Sequence, residues 1–596
     1  MIITIPNPII CKTREEKEAL LKKREKEERK KLSKRIPWEC FAIVDPPWTP
    51  LPDIVTMDEF IEANSDGEFF PELLPSYYIK SDGNDCSDGR SKDTAFKTLS
   101  KAVEAAKTGI KRITILDILT DESEKAGDPE SVFIIKNSGP ECITISGYVC
   151  SAFRRTISWG DTGLSAKQTH KRVLKITGNS HIRLLYITIS DGNMDASDGG
   201  GILLEGGSLI LGKETRVMDN YAKKGGGIAV DKKGVLKMMS YDKNIGASII
   251  RNHAQYNGGG VLVYNMGQFE LVDGVISENK STEFGGGGVY IGDVYGSFYM
   301  RGGIITTNKA DHAGGGVTVS HEGYFEMTGG RILSNTAGFG GGLYIDGGSG
   351  KFMNGIISGN RAQWFGGGVY IQHQRDDLPV PSLEMSGGVI IGNTAFYSGG
   401  GIEVSCRQKT ESVHLTVSSG IISGNIAEKD RGGGIYMYGG NGLITGNAVL
   451  CGNMAREYGG GVYIGKGFIL DIIGNFILEG NAIISANIVG TDVIPQCEKE
   501  HTVLINGEAV TLDLPQAAAW GGGICIADAD VDMRGGAIKA NMANKGGGVF
   551  VASPEEIKKM DGSVDGSCAR PGVSARFTQS GGEISGNLMD DIYQGQ

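Results

Sequence analysis

No run of about twenty consecutive apolar residues occurs in this 596-residue chain, so nothing in it reads as a membrane-spanning helix. Basic charge is also short: 59 Lys and Arg stand against 70 Asp and Glu, a net charge of −11. With no basic excess in the body of the chain to neutralise phosphates, a general nucleic-acid binder is argued against. The ten cysteines fall irregularly and form no Cys-x-x-Cys pair, which argues against a zinc ribbon or a dense disulfide framework. Mostly free thiols are expected, with one or two bridges, such as Cys142 with Cys150, left open. The eight histidines show no His-Glu-x-x-His spacing, so no metal and no cofactor is expected.

What abounds is glycine, 93 residues of it, and it is periodic. Triplets begin at Gly199, Gly225, Gly258, Gly285, Gly314, Gly340, Gly366, Gly399, Gly432, Gly459, Gly521 and Gly546, most of them about 25 to 33 residues apart, a solenoid period. Ahead of most stands Ile-x-x-Asn-x-Ala, as in Ile357 to Asn360 and Ala362, and behind it a short run such as Val369-Tyr370-Ile371. A second run follows, Phe298-Tyr299-Met300 or Phe325-Glu326-Met327, and then Gly-Gly with a branched pair such as Ile304-Ile305. Each unit therefore holds three short runs of period-2 alternation, too brief and too glycine-punctuated for helices.

Three strands in a unit of roughly 27 residues suit one coil of a parallel β-helix, each strand pairing with its copy about 4.8 Å along the axis. Alternation sends Val369 and Ile371 into the bore and Tyr370 outward. Glycine suits corners that leave no room for a Cβ, and the asparagines at another corner are placed to bond along the axis as an amide ladder. The fold class expected is all-β: a single-stranded right-handed parallel β-helix.

These signatures resemble the repeats of polymorphic outer-membrane proteins and related right-handed β-helix (pectin-lyase-like) bacterial surface proteins. Their Gly-Gly-Ala-Ile and Phe-x-x-Asn motifs become Gly-Gly-Gly-Val/Ile and Ile-x-x-Asn here, over about residues 175–590. The segment from Tyr78 to Leu99 is similar to the leading strand, polar loop and capping helix of many bacterial β-helix proteins. Phe96, Leu99, Ala102, Val103 and Ala106 give that helix its apolar stripe, with Thr94 or Asp93 as N-cap. The resulting organisation is a charged helical extension (1–44), a Pro-rich linker (45–77), the β-helix (78–590, with leading strand and cap in 78–110 and the glycine repeats in 199–590) and a tail (591–596). The charged run 12–35 reads as a solvated helix, or as one that meets a membrane surface or a partner. The resemblance implies a cell-surface or extracellular place. The first residues, with Pro6 interrupting a short apolar start, carry no secretory signal, and the end does not look like a translocator barrel, which leaves a cytoplasmic place open.

Two features stand out as candidate sites. On the outward position after each glycine triplet lies a file containing Tyr290, Tyr344, Tyr370, Tyr436 and Tyr463, read either as strand preference or as a platform for sugar rings or a protein partner. The aromatics just before the glycines, Phe284, Phe339, Phe365, Tyr458 and Trp520, read as corner packing. Insertions at 231–246, 372–382, 405–414 and 552–576 all enter between the first and second runs, hence along one edge. They would bring together His373, Arg375, Asp376, Asp377, Arg407, Lys409, Glu411 and His414, and a further insertion, 489–519, leaves from the asparagine corner.

Polysaccharide lyases on this fold use a Lys or Arg base beside calcium-bound carboxylates, and hydrolases use paired carboxylates at set separation. Asn-Thr-Asp, Gly-His-Gly and Arg-x-x-Pro-x-x-Arg are all missing. The expected function is therefore a non-catalytic, adhesin-type β-helix that binds a polysaccharide or a protein of a host or neighbouring cell. The alternative is a lyase or hydrolase acting through Asp376, Asp377, Arg375 and Lys409. The oligomeric state is not legible in the sequence.

Overall fold

A computed structural model describes residues 9–11, 54–56, 75–120, 130–147, 162–166, 170–239, 246–292, 294–374, 377–406, 413–465, 474–490, 500–505, 508–513, 519–560, 575–588 and 590–595. The charged run 12–35 lies outside them, as does Cys150. Within the segment expected as a linker, Ile54–Thr56 pairs in parallel with Ile9–Cys11.

From Tyr77 onward the chain winds as a solenoid whose strands form three parallel sheets of 15, 29 and 11 strands. The first sheet holds the strands after the glycine triplets, where Tyr344 pairs with Tyr370 and Ile345 with Ile371. The second holds two pieces per coil, exemplified by Ser297–Met300 and Ile304–Thr306. The two pieces merge into ten-residue strands at Ser382–Ile391 and His414–Ser423. The third sheet is built from a fourth piece per coil that the alternation argument does not separate. Such pieces as Lys309–Ala310 have only two residues, too few to show a period. The six residues expected as a tail add the strand Ile592–Gln594 to the first sheet.

Because the rungs are in register, like stacks on like in the bore. Phe269 lies 4.7 Å from Phe298 with rings 7° from parallel, and Phe325 continues the stack. Val369, Ile371, Ile390 and their counterparts have no accessible surface. Each such side chain contributes roughly 1.5–3 kcal/mol by leaving water, and no single coil could bury them alone.

The bore is closed at its start by helix α1, Leu99–Thr108, whose buried face is Leu99, Ala102, Val103 and Ala106. Its N-cap is Thr98, not Thr94 or Asp93, with the Thr98 side chain accepting from Lys101 N. Phe96 pairs with Ile79 as a β-bridge instead of starting the helix. Asp93 and Thr94 belong to the preceding turn, where Thr94 Oγ1 donates to Asp88 at 2.6 Å.

At the second corner twelve asparagines, from Asn220 to Asn587, form the expected ladder. In each rung Nδ2 donates to the next Oδ1, as Asn335 to Asn360 at 3.0 Å and Asn360 to Asn393 at 2.9 Å. The second amide hydrogen goes back to a carbonyl of the preceding coil, Asn360 Nδ2 to Ile332 O at 3.0 Å. The backbone N–H of each asparagine meets the same neighbouring oxygen. The last rung, Asn587, donates to Asp591 Oδ1 at 2.9 Å, a carboxylate taking the place of a thirteenth amide.

Candidate functional site

The tyrosine file faces away from the bore, as alternation requires, yet it is not a surface. Tyr290, Tyr344, Tyr370, Tyr436 and Tyr463 are between 1% and 9% exposed. The turn just before each glycine triplet folds back over this face, and its aromatics supply the cover. Phe339 stacks on Tyr370 at 5.5 Å, Tyr458 lies 6.5 Å from Tyr463, and Trp520 stacks on Phe550 at 5.0 Å. Phe339, Phe365, Tyr458 and Trp520 are corner packing against the tyrosine row, whereas Phe284, expected with them, is 53% exposed because Gly285 takes the covering place in its coil. Arg431 closes it further on, its guanidinium 5.4 and 5.1 Å from the Tyr458 and Tyr463 rings while Nη1 donates to Tyr463 Oη at 2.9 Å. Arg431 Nη2 also donates to the carbonyl of Met560, the last residue of helix α2, Pro554–Met560. The row is thus three buried clusters outside the first sheet, parted at Thr318 and Glu403, and a platform role for its tyrosines is set aside on this geometry. Cys525 continues it, its thiol pushed up by burial and suited to packing rather than reactivity.

Beside the row lies a polar group: Tyr344 Oη donates to Asp346 Oδ2 at 3.4 Å and Gln372 Nε2 donates to Tyr344 Oη. His373, expected to project from the insertion, is 2% exposed with Nε2 at 3.3 Å from Leu378 O. Its Nδ1 and Asp346 Oδ1 have no hydrogen-bond partner among the described residues. Burial raises the Asp346 carboxyl above the ordinary aspartate range, partly offset by Gln372, His321, Tyr344 and His373. A raised folded pKa means the folded state holds its proton longer. The associated stability is present below the ordinary aspartate pKa and is lost as pH rises through the raised one. Denaturation midpoints of the wild type should therefore decline more steeply from about pH 4 upward than those of Asp346→Asn. Parallel curves would contradict this.

The insertions at 372–382, 405–414 and 552–576 do leave from one edge, between the first and second sheets. The one at 231–246 does not: it contains the second-sheet strand Val235–Met238, and its extra residues follow that strand. Arg375, Asp376, Arg407, Lys409 and Glu411 lie outside the described residues, while Asp377 is exposed. The later insertion carries an antiparallel hairpin, Glu500–Ile505 with Glu508–Asp513.

On the outer face of the second sheet beside that edge is an open groove of about 670 Å³. One wall is a register file: His414 pairs with Asn441, Asn441 with Asn475, Asn475 with Asp530, and Asp530 with Arg576. Asp532, Arg534, Thr416 and Thr578 line it as well. Asp530 and Asp532 stand two residues apart on one strand, so both point outward with Cα atoms about 6.6 Å apart. Asp532 Oδ2 accepts from Arg534 Nε at 2.7 Å. Among the described residues, the groove holds His414 alone of those expected at a site. Alternation in Val531-Asp532-Met533 marks Asp530 and Asp532 as outward. The 489–519 insertion separates Asn475 from Asp530 in sequence and hides that they are neighbours.

Residues 233–416 match the family model described as a right handed beta helix region. The fold is a right-handed parallel β-helix. The matched span covers the coils from Val235 through the start of the groove at His414, and the same pairing pattern continues on both sides of it. No curated protein and no solved structure matches the chain. Among the described residues no helix is long and apolar enough to cross a membrane, and no cluster of His, Cys, Asp and Glu could hold a metal ion.

Proposed function

We propose that this β-helix is an adhesin-type binding protein that holds a polysaccharide along the groove of the second sheet, at a cell surface or outside the cell. The observation that carries the reading is the file His414, Asn441, Asn475, Asp530, Arg576. Hydrogen-bonding side chains recur there once per coil, about every 4.8 Å along the axis. A translational repeat of donors and acceptors suits a ligand that itself repeats, and an open groove admits a chain without requiring its end.

The alternative reading, a glycoside hydrolase or lyase, has one observation in its favour: Asp530 and Asp532 are two carboxylates side by side in the groove, and hydrolases work with a carboxylate pair. Against it, Asp532 is already engaged by Arg534, and both carboxylates stand on one strand rather than flanking a bond. Retention on immobilised pectate, alginate and neutral glucans tests the proposal. Asp530→Asn with Arg576→Ala should weaken retention about tenfold or more, with no release of sugar by the wild type. Release of reducing ends or unsaturated uronates, lost in Asp532→Asn, would transfer the assignment to an enzyme.

A further inference from the structure

The edge carrying the aromatics before the glycines has an outer rank besides the one that covers the tyrosine row. Phe284, Trp364 and Tyr397 are 53%, 39% and 40% exposed, His312 is exposed as well, and Tyr256 is half-buried. They occupy one column. Phe339 N donates to His312 O at 2.8 Å and Tyr397 N to Trp364 O at 2.9 Å, so successive coils present successive rings. Tyr256 stacks on Phe284 at 5.6 Å. The coil between His312 and Trp364 has Gly338 in the column. A Cβ there would come within 2.5 Å of the Trp364 ring, so the indole lies across the vacant rung and reaches Phe339 at 4.9 Å. The result is an aromatic strip over six coils.

A basic column runs beside it in the third sheet. Lys280 pairs with Lys309, Lys309 with Thr336 and Thr336 with Arg361. Lys280 and Lys309 share one carboxylate in direct contact, Asp311, at 3.7 and 3.3 Å, while Glu283 nearby accepts from Gln255. Arg361 reaches two coils on to make a bidentate pair with Glu428 at 3.0 and 2.9 Å. The ammonium of Lys429 sits 5.6 Å from the Phe396 ring centroid, next to Tyr397.

We infer that this strip is a second ligand surface, for an extended acidic polysaccharide whose pyranose faces stack on Phe284, Trp364 and Tyr397 while its carboxylates meet Lys280 and Lys309. Exposed flat rings repeated at coil spacing offer stacking without a pocket. The shared Asp311 leaves cationic capacity for an anionic chain. A two-fold contact of this face with a second copy would set Lys280 and Lys309 against their own copies, like charge on like, which disfavours a dimer through the strip. The inference deepens the glycan-binding reading but uses residues on a different edge from the groove, so the two stand or fall separately.

Trp364 supplies the readout. Titrating the full chain with oligogalacturonate or oligoguluronate should give a saturable change in tryptophan emission that is absent with cello-oligosaccharides and weakens as salt rises. The pair Phe284→Ala with Tyr397→Ala should reduce affinity about tenfold while leaving the thermal midpoint unchanged. Lys280→Gln with Lys309→Gln should remove the preference for acidic sugars, and Asp530→Asn with Arg576→Ala should leave the emission change intact. No emission change with either acidic sugar would overturn the inference. So would an affinity unmoved by the Phe284 and Tyr397 replacements, or a dimer that those replacements dissolve.

Discussion

Gly367→Ala should cost about 4 kcal/mol or more and strip the coils on either side of their cooperative unfolding. Gly367 is the middle residue of its triplet, and its φ is not the reason. A Cβ built there stands 2.4 Å from the Thr394 carbonyl carbon and 2.5 Å from Gly400 O, both backbone atoms of the next coil. Those atoms cannot recede, because Val369 N is bonded to Gly401 O at 2.9 Å and Gly368 N to Gly400 O at 3.1 Å in the same rung. The fitting control is Gly392→Ala. Gly392 has φ +62° with nothing within 4 Å of its Cβ direction, so alanine should cost only about 1–2 kcal/mol there. Other coils already place Thr307 and Ser334 in that conformation at the equivalent site, φ 53° and 52°. Urea titrations followed by far-UV circular dichroism compare the two. Similar losses would mean that the coils can spread, and that the triplets answer to something other than packing between coils.

The second large effect is expected at the amide ladder. Asn360 has no accessible surface. Its Oδ1 accepts from both the backbone N and Nδ2 of Asn335, at 2.9 and 3.0 Å, while its own Nδ2 serves Ile332 O and Asn393 Oδ1. Asn360→Ala therefore leaves two buried donors and two acceptors short of a partner on the two flanking coils, and about 2–4 kcal/mol should be lost. Because neighbours share the bonds, the loss should spread. Hydrogen exchange of the Asn335 and Asn393 amides should quicken by one to two orders of magnitude, while amides near Asn220 hold. A loss under about 1 kcal/mol would show that water can take the amide's place.

The same two elements show how far the sequence could be read. Both are corner residues whose spacing is unbroken over many coils, so position and role are visible together. Where the register can be checked, it also corrects the reading. In Gly285-Gly286-Gly287-Gly288 the left-handed residue is Gly286, φ +68°, so Gly285 takes the place that Phe339 and Phe365 hold in later coils. Local sequence does not single out the N-cap, because Asp93 and Thr94 are as good cap formers as Thr98. Only the pairing of Phe96 with Ile79 decides that the backbone is still extended there.

The candidate sites were less legible, for a reason that follows from the fold. Alternation separates the two faces of a strand, but it does not say whether the outer face meets water. Tyr370 and Trp364 are both aromatic and both point away from the bore. One is 1% and the other 39% exposed, because the corner turn lies over the first and carries the second. The groove is hidden in the sequence in a similar way, since Asn475 and Asp530 become neighbours only when the chain returns after the hairpin insertion.

By itself, then, the sequence determined the solenoid, its coil length, the apolar filling of the bore, the glycine corners and the asparagine ladder. Each depends on contacts between a residue and its own copy one coil away, and a repeat prints such contacts directly. The tertiary structure alone decided which outward residues reach solvent and which residues from distant coils share a groove. Those depend on how turns fold over the sheets and on where insertions return, and local period carries no record of either.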